Sequence, residues 1–381
     1  MQSGIAQAMK IAKVEAFVYR APIVEPVANA FGTMQNRPAL FVRVSATDGA
    51  WGWGEVFCNF PQVGAEHRAR LVASIFAPLM EQREFTDASA LRWFLEERAR
   101  RMAIQCGEPG PFAQVTGCLE QALWDMAARR AGRPLWRYLD DKGGGARRVR
   151  VYASGIGPER PVKVALAKRD AGYRAFKLKV GFDAARDSAN FAALREALGP
   201  GADIMVDANQ AWSPQDAPAR IAALKEFNPV WVEEPLAADE EAADWRQLAR
   251  DAGVALAAGE NLRGEHAFRS AIDQGYLRFV QPDVGKWGGI GGCRAVARHA
   301  ASRGVEFCPH WLAGGIGLAA SMHLRASLGE AGYAEVDANP NPLREEVFEF
   351  AVVDGWVALS DAPGLGVEPN LARLARFAVK V

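Results

Sequence analysis

The sequence has little cysteine, little histidine and no surplus of either charge. The five cysteines (Cys58, Cys106, Cys118, Cys293 and Cys308) are odd in number and widely spaced, with no CxxC. Neither a disulfide framework nor a thiolate zinc site is expected, and the usage suits a reducing, cytoplasmic setting. Lysine and arginine together number 45, and so do aspartate and glutamate. A chain in such balance has no broad attraction for phosphate backbones or anionic lipid, so neither nucleic acid nor membrane is an expected partner. No apolar run reaches the roughly 18 residues that would cross a bilayer. The opening MQSGIAQAMKIAKVEAF lacks the continuous apolar core and small-residue cleavage site of a signal peptide. No glycine-rich phosphate fingerprint follows a candidate strand, which argues against a dinucleotide fold.

What is present is a chain of 381 residues, 50% hydrophobic and 24% charged. That balance is globular, and the length fits a large barrel with a smaller companion domain. Residues 10–60 alternate as strands do, with a hairpin turn at Asp48-Gly49. The polar, turn-rich VEPVANAFGTMQNRP between the first two strands reads as a mobile loop. Residues 66–139 have helical periodicity. Strands followed by helices predict an α+β capping domain over residues 1–139. Across residues 140–340 short apolar runs alternate with amphipathic stretches: VRVYASG, AFKLKVG, DIMVDAN, VWVEEP, VALAAGE, LRFVQPD, VEFCPH and YAEVD. Eight strand–helix units predict a TIM-barrel-like (β/α) barrel, of the α/β class, with functional groups at the C-terminal strand ends. Residues 341–381 return to strand and turn chemistry and are expected to pack back on the capping domain.

The strand ends carry a regular series of polar residues: Lys179, Asp207, Glu233, Glu260, Asp283, His310 and Glu335. They are spaced by 28, 26, 27, 23, 27 and 25 residues, close to the roughly 30 of one strand–helix unit. Asp207, Glu233 and Glu260 end consecutive strands, so three carboxylates would meet in a barrel. Their repulsion calls for a cation, and few oxygen ligands with room for water and substrate favour Mg²⁺. The plainer alternative, three separate helix caps, requires a coincidence of spacing.

Lys177 and Lys179 lie two apart in AFKLKVG and share one strand face, with Leu178 turned to the surrounding helices. Two buried lysines side by side should bring one pKa toward neutrality and provide a general base. His310 in EFCPHW and Asp283 in VQPDVGKW lie on neighbouring strand ends, where a carboxylate can orient and charge an imidazole. The other histidines lie in helical stretches and read as structural. Lys286 either lines the site or pairs with a carboxylate. Glu335 in YAEVD is a candidate protonated carboxyl that donates to a developing oxyanion, with Asp337 as the alternative. Phe31, Met34, Arg37 and Trp311 are candidate substrate contacts, and residues 29–37 are the loop expected to close over the barrel mouth.

In this order KLK, VDANQAW, WVEEP, AAGEN, QPDVGKWGG and the late PH resemble the enolase superfamily, in its mandelate racemase and muconate lactonizing enzyme family, mandelate racemase subgroup. The resemblance extends to the N-terminal capping domain and the PGLG near the end, leaving out only about the first nine residues. It implies that Asp207, Glu233 and Glu260 hold Mg²⁺ and that Lys179 is the base on one face of the substrate. It implies that Lys177 polarises a carboxylate oxygen, that His310 with Asp283 serves the opposite face, and that Asn209 touches substrate. Glu335 matches the electrophilic carboxyl, although its DANPNP context departs from mandelate racemase. The resemblance also implies a homo-oligomer.

The implied activity is removal of the proton α to a carboxylate in a small hydroxy acid, sugar acid or lactone. Dehydration of a sugar acid to a 2-keto-3-deoxy acid is the leading expectation. Racemisation or epimerisation of a 2-hydroxy acid, and cycloisomerisation of a sugar-acid lactone, share every residue and differ only in the fate of the intermediate. A silent binding protein on the same scaffold is the non-enzyme alternative, and no member of the motif set is missing in its favour.

Overall fold

The computed structural model describes residues 8–29 and 32–381. The N-terminal part is an antiparallel sheet covered by helices. Its strands are β1 (Met9–Asn29), β2 (Gly32–Ala46), β3 (Trp51–Val56) and the short β4 (Glu84–Phe85), in the order β3-β2-β1-β4. The helices α1 (Gly64–Leu71), α2 (Ala77–Met80), α3 (Ala88–Gln105) and α4 (Pro109–Arg130) follow, then α5 (Leu135–Leu139). Apolar residues of the strands, among them Leu40, Val42 and Val44, are buried against Leu119, Leu123 and Met126 of α4. The two-residue period of the strands thus faces the 3.6-residue period of the helix.

The segment read as a loop is a hairpin arm. The β1–β2 ladder runs out to Val27↔Met34, Ala28↔Thr33 and Asn29↔Gly32, with one irregularity between Pro22 and Val27. Pro22 and Pro26 lack an amide hydrogen, which accounts for turn-like composition in a paired strand. Phe31, proposed as a substrate contact, lies outside the described residues.

All eight expected barrel strands form. They are β5 (Arg148–Ile156), β6 (Ala175–Lys179), β7 (Asp203–Asp207), β8 (Val232–Glu233), β9 (Leu256–Ala258), β10 (Phe279–Val280), β11 (Glu306–Phe307) and β12 (Ala334–Asp337). They pair in parallel in chain order from β5 to β11, and β12 returns to lie beside β5. Between successive strands run α6 (Pro161–Asp170), α7 (Ala184–Leu198), α8 (Ala217–Lys225), α9 (Ala242–Ala252), α10 (Glu265–Asp273), α11 (Gly289–Ser302) and α12 (Gly315–Ala326). The eighth unit departs from expectation. After β12 comes only α13 (Pro342–Glu345), of four residues, because the following segment covers that part of the barrel instead. It forms β13 (Val352–Val353) and β14 (Trp356–Ala358), and β14 pairs antiparallel with the start of β5. The chain then crosses to the capping domain, where Leu365 N–H donates to Asp125 at 2.7 Å and Val379 N–H to the Val18 carbonyl at 2.9 Å. The short helix α14 (Leu371–Leu374) lies in this crossing.

The barrel interior is filled in layers, as strand alternation requires. Tyr152, Ala175, Met205, Trp231, Ala257, Cys308 and Tyr333 form an inner apolar cluster. Phe176 and Leu178 of β6 belong to the core that includes the helices. Ala175, Lys177 and Lys179 therefore share the inward face, and the two lysines lie above the apolar layer at the C-terminal end. All five cysteines are free thiols and four of them are buried. Among the described residues no helix is long and apolar enough to cross a membrane.

Candidate active site

The C-terminal ends of the barrel strands open into a cavity of about 870 Å³. Lys179, Asn209, Glu260, Lys286, His310 and Asp337 line it from the barrel, and Val27, Met34, Arg37 and Phe57 from the capping domain. Strands β6 and β11 are not neighbours in the barrel: β5 and β12 lie between them on one side, and β7 to β10 on the other. Lys179 and His310 thus line one cavity from separate, non-adjacent strands. Lys177, Asp207, Glu233, Asp283 and Glu335 are buried beneath this lining.

The carboxylates and lysines are interlocked. Lys179 Nζ lies 2.5 Å from Asp207 Oδ2. Lys177 Nζ pairs with Glu233 Oε1, with Glu335 Oε1 at 2.8 Å and with Asp207 Oδ2 at 3.5 Å. Glu233 Oε2 also accepts from the Trp231 indole at 3.0 Å and from Gln281 at 2.6 Å. Asn209 donates its backbone N–H to Asp207 Oδ1 at 2.8 Å. Glu260 pairs with His310 Nε2, accepts from Asn261 at 2.9 Å and lies 3.6 Å from Lys286 Nζ. Lys286 thus does both things expected of it. His310 Nδ1 donates to Asp283 Oδ2 at 2.5 Å, and Asp283 Oδ1 is itself held by the Gly285 N–H at 2.7 Å.

Burial and pairing compete in setting the charges. Burial opposes protonation of Lys179, but Asp207, with Glu260 and Glu233, outweighs burial and the repulsion of Lys177 and leaves Lys179 above the ordinary lysine value. Lys177 is likewise raised, chiefly by Glu233 and Glu335 against its own burial. This corrects the expectation that the lysine pair brings one member toward neutrality. The carboxylates beside the pair are stronger than the like-charge repulsion within it. Burial also opposes the charged imidazole, yet Glu260, Glu335 and Asp283 raise His310 to about 10.

Glu335 does not behave as a protonated donor. Although burial pushes its pKa up, Lys177 and His310 outweigh this and hold it below the usual carboxylate range. It accepts from Ser154 and, at 3.0 Å, from the Trp311 backbone N–H. Asp337, the alternative, is taken by Arg37, whose guanidinium lies 2.8 Å away. Trp311 is also not where it was expected. Its ring is buried beside Gly285 and Gly317 and its indole donates to the Gly314 carbonyl at 2.8 Å, outside the cavity lining. A large aromatic next to a functional histidine is here a packing element, because the two neighbouring glycines leave a space its size.

Among the described residues no three acidic, histidine or cysteine side chains converge on a single point as metal ligands do. Asp207, Glu233 and Glu260 each turn toward a cation of the chain instead. The donor set nevertheless suits a divalent cation. Six carboxyl groups (Asp207, Glu233, Glu234, Glu260, Asp283 and Glu335) share this network with four cationic groups (Lys177, Lys179, Lys286 and His310), so full ionisation leaves two negative charges over. Burial with the neighbouring acids accordingly pushes Glu233 up to about 7 and Glu234 well above the usual range. All-oxygen donors at the ends of adjacent strands are the chemistry of a hard ion.

Several residues here went unread in the sequence: Ser154, Trp231, Glu234, Asn261 and Gln281. Glu234 follows Glu233 directly, and in an extended strand the two would face opposite ways. Its φ of +39 shows that the backbone has left the strand and turned the second carboxylate back, where Asn261 meets both its oxygens at 3.0 and 2.9 Å. The doubled acid of WVEEP was the available signal.

Residues 13–139 match the family model described as mandelate racemase / muconate lactonizing enzyme, N-terminal domain. Residues 162–373 match the model described as enolase C-terminal domain-like. A 3,6-anhydro-alpha-L-galactonate cycloisomerase from Streptomyces coelicolor is 32% identical over 377 residues, covering 97% of this chain and 99% of that protein. The crystal structure of a mandelate racemase/muconate lactonizing enzyme from Bordetella bronchiseptica RB50 is 48% identical and superposes with a TM-score of 0.91, over 97% of this chain and 99% of that one. A racemase from Streptomyces coelicolor A3(2), solved with bound magnesium, is 31% identical with a TM-score of 0.86, over 97% and 100% of the two chains. With both of its parts matched and its barrel, cap and strand-end residues in place, the chain belongs to the mandelate racemase/muconate lactonizing enzyme family of the enolase superfamily and is an enzyme of the lyase or isomerase type.

Proposed function

We propose that this enzyme opens the ring of a cyclic sugar acid by β-elimination, giving a 2-keto-3-deoxy acid. The observation that carries this reading is that Lys179 and His310, from non-adjacent strands, line one cavity. Asp207, Glu233 and Glu260 would hold Mg²⁺, with Lys177, Asn209 and Lys286 around them. Bound there, Mg²⁺ would neutralise the carboxylates that now raise Lys179 and draw electron density from the substrate's carboxylate.

Lys179, once neutral, takes the proton from the carbon next to the carboxylate. Lys177, fixed beneath it by Glu233 and Glu335, offsets the negative charge that develops on the carboxylate oxygens. The electron pair left behind forms the carbon–carbon double bond and expels the ring oxygen from the adjacent carbon. His310, charged and aimed by Asp283, gives its proton to that oxygen from the opposite face. The resulting enol takes up a proton to become the ketone. No atom is gained or lost, so the product is an isomer of the substrate.

The ring-opening reading is preferred to dehydration because a relative matched along nearly its whole length is a cycloisomerase of an anhydro sugar acid. Dehydration of an open-chain acid uses the same residues, with hydroxide in place of the ring oxygen as leaving group. The test is incubation with Mg²⁺ and matched panels of anhydro or lactone sugar acids and open-chain sugar acids, in D₂O. A 2-keto acid from the cyclic panel alone supports the proposal. A keto acid from open-chain substrates reassigns the enzyme as a dehydratase, and deuterium uptake without keto acid reassigns it as a racemase or epimerase. On an accepted substrate, Lys179→Met should lose both deuterium exchange and product by about 10³-fold. His310→Asn should keep the exchange and lose the product.

A further inference from the structure

Helices α11 and α12 carry the loops of Asp283 and His310 into the barrel wall, and both begin without a cap of their own. Their N-cap residues are Gly288 and Gly314, and neither end has a local side-chain cap. Such an end leaves backbone N–H groups without a partner. The capping domain supplies what is missing. Glu55 of β3 accepts the Gly314 N–H on one oxygen at 2.6 Å and the Gly317 N–H on the other at 2.9 Å. Glu120 of α4 does the same for α11, accepting from Ile290 and Gly291 at 2.8 Å each. Both carboxyl groups are fully buried.

The fit tolerates no side chain. A Cβ on Gly314 would meet Glu55 Oε1 at 2.4 Å, and one on Gly291 would meet Glu120 Oε1 at 2.4 Å. Gln121 ties the two contacts together. It exchanges hydrogen bonds with the Glu55 backbone at 3.3 and 3.2 Å and donates to the Val284 carbonyl at 2.8 Å, one residue from Asp283. The Phe57 N–H donates to the Gly285 carbonyl at 3.2 Å, and the Phe57 ring lies 5.9 Å from that of His310. From Gly314 the path returns to His310 through Trp311, whose indole holds the Gly314 carbonyl and whose N–H holds Glu335.

We infer that Glu55, assisted by Gln121 and Glu120, is a positioning residue for the His310–Asp283 pair: the capping domain, besides covering the cavity, fixes the imidazole half of the site through two borrowed helix caps. Its catalytic consequence rests on the ring-opening reading above, while its structural consequence does not. Truncating Glu55 should displace His310 relative to Asp283 and leave Lys179, on the non-adjacent strand β6, in place. A misplacement of about 1 Å of a reacting group is enough to cost on the order of 100-fold in rate.

The test uses the full-length enzyme in saturating Mg²⁺. The Nδ1 proton that His310 shares with Asp283 is read as a downfield proton resonance, assigned by its loss in His310→Asn. In Glu55→Ala this resonance should shift or broaden, and in Glu55→Gln, which retains one acceptor, it should be partly restored. Leu224→Ala, a core truncation on the distant α8, should lower stability and leave the resonance unchanged. On an accepted substrate, Glu55→Ala should lose keto-acid formation about 100-fold while deuterium exchange at the α-carbon stays near wild type. A folded Glu55→Ala protein with an unaltered resonance overturns the proposal, and so does an equal change in Leu224→Ala. Should Glu55→Ala not fold, Gly314→Ala presses on the same contact from the other side and is read in the same way. The resonance needs no substrate, so a failure of turnover alone bears on the proposed reaction and not on the positioning role.

Discussion

At the scale of single residues, the same side chain type does opposite things according to what surrounds it. His310 is buried among Glu260, Glu335 and Asp283 and is driven to about 10. His323 is buried in α12 among apolar groups, accepts the Trp136 N–H on Nδ1 at 3.0 Å, and is pushed down to about 4 by burial. The reading of His323 as structural came from its place in a helical stretch, and its surroundings agree with that place. Its depressed pKa predicts acid lability. The unfolded chain binds the proton near 6.5 and the folded one only near 4. The stability contributed by neutral His323 is therefore complete above about 6.5, is lost as the pH falls through that window, and changes no further below about 4. The loss amounts to about 3 kcal/mol. Urea unfolding at pH 7 and pH 5 should show a steeper fall for wild type than for His323→Gln, and equal falls would remove His323 as the cause.

The structural elements decide which of the cavity's residues belong to the barrel and which to the cap. The β1–β2 arm carries Met34 and Arg37 over the barrel mouth as a paired hairpin, and Arg37 ends 2.8 Å from Asp337 on β12. Both partners are nearly inaccessible, at 2% and 3% exposure. An ion pair so enclosed fixes the arm to the barrel, and removing one partner strands the other charge. Arg37→Met should therefore destabilise the enzyme by about 3 kcal/mol and raise KM, since Asp337 and Met34 both line the cavity. The double substitution Arg37→Met with Asp337→Asn should recover much of the lost stability. A thermal-denaturation cycle in which the two changes simply add would show that the pair does not couple arm and barrel. The elements were mostly visible beforehand, because each barrel strand is a short apolar run closed by a polar residue. The hairpin arm was not, because its prolines and glycine match loop composition and only the facing strand shows that they pair.

For the molecule as a whole, the dominant feature is the surplus of buried carboxyl groups over cationic groups in the barrel mouth. It predicts that a divalent cation stabilises the fold. With free Mg²⁺ at about 100 times its dissociation constant, the gain should be about 2.7 kcal/mol. Melting in EDTA and in increasing Mg²⁺ should show a concentration-dependent rise. The rise should shrink strongly in Glu260→Gln, which lacks one donor. A melting temperature indifferent to Mg²⁺ would remove the cation from the proposed site.

The sequence by itself determined the barrel, the order of its strands and the identity of the polar residue at each strand end. Those follow from short-range periodicity, and strands of a closed barrel bring their C-terminal ends together whatever the loops do. Only the tertiary structure decided how those groups divide the available charge. Asp207 holds the Lys179 pKa up, Lys177 and His310 hold that of Glu335 down, Trp311 turns into a glycine-lined space, and Glu55 reaches across to cap α12. Each of these depends on which distant residue occupies the next few ångströms. Coulomb attraction and packing act over that distance without regard to separation along the chain.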